Sequence, residues 1–130
     1  MVELYTDKVH QLLYNSVEKA KNYGHYQVDV CHLLKAFLED GSSMFCNILN
    51  KSGISISRVS DKVDEYLNSI RRETNSADPN ASSDLSNLIM NAKKISEKMK
   101  DKYISSDHMV LSLFDNNNTL VKEIIKSFNL

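Results

Sequence analysis

Apolar residues recur along this chain at offsets of three and four, and short polar stretches interrupt the recurrence at regular intervals. The pattern is that of short amphipathic helices with one inward face each. Thr6 is placed to cap a first helix whose stripe is Val9, Leu12, Leu13, Val17 and Ala20, and Gly24 ends it. A second helix starts near Asp29 with Leu33, Leu34, Phe37 and Leu38, and Gly41-Ser42-Ser43 breaks it. Met44, Phe45, Ile48 and Leu49 form a third, stopped by Gly53. A fourth, from about Ser57, carries Ile56, Val59, Val63, Tyr66, Leu67 and Ile70. Residues 73–81 are turn-formers around Pro79 and read as a linker. A fifth helix begins behind Ser83 with Leu85, Leu88, Ile89, Ala92 and Met99 at helical spacing. The sixth spans Asp107 to Phe114, Asn116-Asn117-Asn118 interrupts, and the seventh holds Leu120, Val121, Ile124 and Ile125. The expected fold is all-α.

A constant shift of 76 residues lays the second part of this pattern on the first. Thr6 falls on Ser82, Val9 on Leu85, Leu12 on Leu88, Val28 on Ile104, His32 on His108, Phe45 on Val121 and Leu49 on Ile125. So many core positions in register, without a gap, define two pseudo-symmetric tandem repeats of about four short helices each: 5–72 and 82–130. The small pairs Ser16/Ala92 and Ala20/Ser96 are expected to let the two halves pack through the first and fifth helices. Leu130 is equivalent to Ile54, so the counterpart of the fourth helix is missing from this chain and is expected in a longer one.

Composition narrows the function classes. An apolar fraction of 42% in 130 residues can build one core. Lys and Arg number 16 against 17 Asp and Glu, so bulk charge points neither to nucleic acid nor to an anionic membrane. No apolar run approaches the roughly 20 residues needed to cross a bilayer, and no signal peptide is visible. Cys31 and Cys46 make no disulfide framework and read as reduced, small apolar residues.

Catalytic patterns find no support. There is no Gly-x4-Gly-Lys-Ser/Thr loop, and Cys31 and His32, adjacent on one helix, should diverge rather than pair as nucleophile and base. The histidines are too scattered for a metal site, and His10 and His25 acquire no partner from the sequence. Lys93, Lys94, Lys98, Lys100 and Lys102 read as a wet helix face, with Asp101 in a solvated ion pair among them. Asp107 suits the positive end of the sixth helix. Tyr5, Tyr23 and Tyr26, read as exposed, would suit an interface with a partner protein.

The duplicated stretches Val28-Asp29-Val30-Cys31-His32-Leu33-Leu34 and Tyr103-Ile104-Ser105-Ser106-Asp107-His108-Met109-Val110, with Tyr5-Thr6 at the entry, carry a family resemblance. The pattern resembles the tandem N-terminal domain of the Clp/heat-shock-100 AAA+ unfoldases, closest to the ClpB-type disaggregase branch. The resemblance implies a non-catalytic domain that recruits unfolded or aggregated client proteins, or docks an adaptor or translocon partner, above a hexameric threading ring. It places ATP and magnesium in AAA+ modules outside this segment, and implies no cofactor, nucleic acid or membrane insertion here. The isolated domain is expected to be a monomer. By the same resemblance the client-binding positions are Thr6, Ile89, Asp101 and Asp107, while Asn91 and His108 replace leucines of an apolar groove. The ClpC-like branch binds phosphorylated arginine through an acid in each repeat; Cys31 replaces one of them, which argues against that ligand. No ClpA-type adaptor is implied. The Asn-, Lys-, Ile- and Ser-rich composition suggests an AT-rich genome, as in apicomplexan parasites, and leaves cytosol, plastid and a vacuolar export compartment open.

Overall fold

Every helix begins where a short polar side chain takes up free backbone N–H groups of the first turn. In the computed structural model, which describes residues 4–73, 78–116 and 118–130, α1 covers Asp7–Tyr23 behind Thr6 and α2 Val30–Glu39 behind Asp29. α3 covers Met44–Lys51 behind Ser43, and α4 Ile56–Ser69 behind Ser55. α5 spans Ser83–Lys98 behind Ser82, α6 Ser106–Phe114 behind Ser105, and α7 Thr119–Phe128 behind Asn118. Each such cap is worth about 1 kcal/mol, enough to set a boundary in helices this short. Gly24 closes α1 at φ 72°, a left-handed conformation a Cβ would strain.

The all-α expectation holds, with one addition. β1 (Gln27–Val28) and β2 (Asn80–Ala81) pair in parallel, with Val28 opposite Ala81, and Tyr5 bridges Ile104 in the same sense. The shift of 76 residues carries Val28 to Ile104 and Tyr5 to Ala81, so the two pairings are one contact made twice. The residues that enter each repeat lie beside the signature of the other. Backbone bonds repeat accordingly: Thr6 N–H donates to the Ile104 carbonyl at 3.1 Å, and Ser82 N–H to the Val28 carbonyl at 2.9 Å. The end of the expected linker is therefore β2; residues 74–77 of it, with Asn75 and Ser76, lie outside the described residues.

The core is continuous through both halves, with Phe37, Leu33 and Leu34 of α2 and Leu113, Met109 and Val110 of α6 fully buried. The small residues act differently from the expectation. α1 packs on α2 and α5 on α6, within each repeat, and α1 and α5 are not a closely packed pair. Ser16 bonds back to the Leu12 carbonyl, and Ser112 of α6 reaches the Leu88 carbonyl of α5 at 2.6 Å. Small side chains thus let helices of one repeat approach. Between repeats the contacts are α2 on α5, α3 on α6 through Phe45 and Phe114, and α4 on α7. Met99, expected on the apolar stripe of the fifth helix, follows the end of α5 and is 56% exposed.

Candidate functional site

The signature histidines are helix caps. The Asp29 N–H donates to His32 Nδ1 at 2.8 Å, and the Ser105 N–H donates to His108 Nδ1, also at 2.8 Å. Each histidine takes the third helical position of a capping box, where Glu or Gln is usual. With Nδ1 accepting, the neutral ring carries its proton on Nε2, and the repeats satisfy that proton differently. His32 Nε2 meets His25 Nδ1 at 2.8 Å, whereas His108 Nε2 meets Asp101 Oδ2 at 2.9 Å. Positions 25 and 101 are themselves 76 apart, so one polar site holds an imidazole in the first repeat and a carboxylate in the second.

The electrostatics follow from burial. His32 is 1% exposed, and burial, then the neighbouring His25, hold its pKa down at about 4, against the opposing pull of Asp29. His25 is lowered by burial as well, with the Leu67 backbone opposing and Arg72 adding to the shift. The Cys31 thiol is pushed up to about 12 by burial and the Asp29 charge.

The expected divergence of Cys31 and His32 is corrected: Sγ lies 3.7 Å from His32 Nδ1. That nitrogen already accepts the Asp29 N–H, so its lone pair is committed and cannot serve as a base for the thiol. The expected outcome is that Cys31 in the folded chain reacts with iodoacetamide at pH 8 at least about a hundredfold slower than in urea, read by mass spectrometry.

Three of the four expected site residues gather around the loop before α6. Thr6 caps α1 through the Val9 N–H at 3.3 Å and is held against Ile104 by its own backbone. Asp101 is bonded to His108 rather than standing in a solvated pair among the lysines; Lys102 lies over the Tyr103 ring instead. Asp107 stands exposed in the first turn of α6. Ile89 is not part of this set: it is half-buried on α5, packed against the edge of the core. His108 is 3% exposed and offers no groove surface. Asn91 Nδ2 bridges to α6, donating to Ser112 Oγ at 3.3 Å and Asp115 Oδ2 at 3.2 Å.

The tyrosine expectation holds only for Tyr26, 61% exposed. Tyr5 is half-buried with its ring edge-to-face with His10, and Tyr23 is half-buried and stacked on His25, so both histidines do have neighbours. Periodicity also missed three exposed apolar side chains: Met99 at the end of α5, Tyr103 in the loop before α6, and Leu111 on α6, one turn beyond Asp107. Also missed was a polar cleft of about 260 Å³ lined by Asp84, Asn87, Asn91, Asp115 and Asn116. A second cleft, lined by Lys8, Gln11, Asn15, Glu39 and Asp40 among others, occupies equivalent positions in the first repeat. Polar residues repeating at the 76-residue shift were the available signal. Among the described residues no group of three His, Cys, Asp or Glu side chains is placed to hold a metal, and no helix is long and apolar enough to cross a membrane.

Comparison with known proteins agrees with this architecture. The ClpB chaperone of Clostridium tetani is 30% identical over 133 residues, covering 99% of this chain and 15% of that protein, so the chain spans a small part of the relative's length. The solved Hsp104 N-terminal domain from Candida albicans superposes with a TM-score of 0.87 at 23% identity, over 98% of this chain and 83% of that one. A ClpV N-domain solved in complex with a VipB peptide has a TM-score of 0.76 at 16% identity, over 96% and 79%. The Clp repeat (R) N-terminal domain model matches residues 4–128, and together with the duplicated signature and the exchanged entry strands this shows that the chain belongs to that family.

Proposed function

We propose that this domain recruits unfolded or aggregated protein clients for a ClpB-type AAA+ unfoldase, feeding them to an ATP-driven threading ring. The observation that carries the reading is the surface before and along α6. Exposed apolar Met99, Tyr103 and Leu111 stand there beside the carboxylates of Asp101 and Asp107. Exposed apolar side chains give an unfolded segment a place to shed water, and flanking charge favours segments with basic residues. Thr6 belongs to the same surface through its tie to Ile104. Ile89 would contribute from the core edge of α5.

A second reading is docking of a dedicated adaptor or translocon partner. It is favoured by the polar Asn91 and buried His108 where the family's groove has leucines, and by the ClpV N-domain that binds a VipB peptide. An NMR titration of the isotope-labelled chain with a permanently unfolded protein, such as reduced carboxymethylated lactalbumin, separates the two. Client recruitment predicts shifts confined to Thr6 and the 99–111 segment, weakened at least about tenfold by the double variant Tyr103→Ser/Leu111→Ser. Absence of shifts at about 1 mM client, with a stoichiometric partner lost from pull-downs when the domain is deleted, would replace recruitment by docking.

A further inference from the structure

We propose that His25 and His32 form an acid-labile clamp, which holds the end of α4 against the turn joining α1 to α2 and opens when either imidazole takes a second proton. The reasoning begins with lone pairs. His32 Nδ1 accepts the Asp29 N–H, and His32 Nε2 donates its proton to His25 Nδ1. His25 therefore carries its own proton on Nε2, a buried atom that makes no hydrogen bond among the described residues. Each ring nitrogen that lacks a hydrogen is already an acceptor. A second proton must displace the Asp29 N–H, ending the histidine half of the α2 capping box, or enter between the two rings, ending their bond. Both rings are buried, His25 to 4% and His32 to 1% exposed, so the charge would also lose its hydration.

The surroundings offer little compensation. Lys19 of α1 and Arg72 beyond α4 are the nearby cations, and both oppose an imidazolium. Lys19 is itself paired with Glu39, and Glu73 approaches Arg71 at 3.8 Å. Tyr23 stacks on His25, and the Cys31 thiol beside His32 is neutral. Among the described residues Asp29 is the one anion acting on His32, and its Oδ1 already accepts the Val30 N–H and the Ser82 hydroxyl. The Leu67 backbone favours a charged His25, more weakly than burial opposes it.

What opens is defined by the contacts around the pair. The Glu73 N–H donates to the Gly24 carbonyl at 2.6 Å, Arg72 lies 5.6 Å over the Tyr23 ring, and Leu67 is fully buried near His25. The clamp thus joins α1, β1, α2 and the chain leaving α4. In the second repeat the half-exposed Asp101 accepts the equivalent proton, so the device belongs to the first repeat alone. The depressed pKa values give the direction. The open form takes up protons below pH 6.5 that the closed form excludes until about pH 4, so closure is complete above 6.5 and weakens as pH falls.

The test is amide hydrogen exchange of the chain at pH 7.5 and pH 5.5, corrected for intrinsic rates. Protection of residues 30–33 and 67–73 should fall about tenfold relative to α5 and α6 at the lower pH. The double variant His25→Asn/His32→Gln keeps a capping acceptor and an inter-ring donor and acceptor without a titrating group, and should show no such fall. Equal protection at both pH values in the parent chain, or the same fall in the variant, would overturn the clamp. Imidazole NMR gives an independent readout that needs no variant. His32 should stay neutral in the folded chain to below pH 5.5; its titration above that pH without loss of protection would also overturn it.

Discussion

Replacement of Phe37 by alanine is expected to destabilise the domain by about 3–5 kcal/mol and to lower Tm by roughly 10–20 °C, measured by urea and thermal denaturation. Phe37 is fully buried in α2, the helix that packs against α1, α3, α4 and α5. Removal of its ring withdraws apolar area from the core and leaves a cavity that four surrounding helices cannot all close. Its carbonyl also accepts the Ser43 hydroxyl and the Cys46 thiol, so the turn into α3 is anchored on the same residue. A loss of that size is a large share of the roughly 5–15 kcal/mol that holds a typical domain folded. Met90→Ala, on the exposed side of α5, should by contrast change stability by less than about 0.5 kcal/mol. Equal effects at the two positions would contradict the placement of α2 at the centre of the packing.

The second large effect is expected at Asp29. Its carboxylate caps α2 through the Val30 N–H at 2.8 Å and accepts the Ser82 hydroxyl at 2.6 Å, across 53 residues of sequence. Ser82 in turn caps α5 through the Leu85 N–H, so one carboxylate ties the first turn of a helix in one repeat to the first turn of a helix in the other. Loss of a cap costs about 1 kcal/mol, and loss of a charge-assisted bond about 1.5–3 kcal/mol. Asp29→Ala should therefore lower stability by about 2–4 kcal/mol. Because Ser82→Ala removes the same cross-repeat bond, the double variant should be less destabilised than the two singles combined, by at least about 1 kcal/mol. Strict additivity would mean that the bond contributes nothing. Thr6→Ala, the equivalent cap on α1, should show only the cap's own loss of about 1 kcal/mol.

The helices were legible because their signals are local. The Thr6 cap, the left-handed Gly24 and offsets of three and four act within a single turn or two; the fifth helix, expected behind Ser83, is capped by Ser82, and the sixth, expected from Asp107, starts at Ser106 behind Ser105. The repeat was legible because it preserves side-chain class at a constant spacing. The strands were not: Gln27–Val28 and Asn80–Ala81 are two residues each, too short for a period-two pattern, and their pairing spans more than 50 residues. Ser16, Ala20, Ala92 and Ser96 announced close helix approach but not which helix would come near. Periodicity marks a face and leaves the neighbour unnamed.

The candidate site divides in the same way. Sequence alone determined an all-helical duplication, the equivalence of His32 with His108, and an acid, Asp107, at the start of the sixth helix, because residue type and spacing suffice for each. Only the tertiary structure decided that both histidines are buried caps, that position 25 or 101 completes them, and that Thr6, Asp101 and Asp107 meet around one loop while Ile89 stays at the core edge. It also placed Cys31 beside a nitrogen whose lone pair is already used, and left Met99, Tyr103 and Leu111 in water. The physical reason is that a hydrogen-bond partner or an exposed patch is a relation between segments distant along the chain. Such relations are set by helix packing and exchanged strands, and helical periodicity carries no record of them.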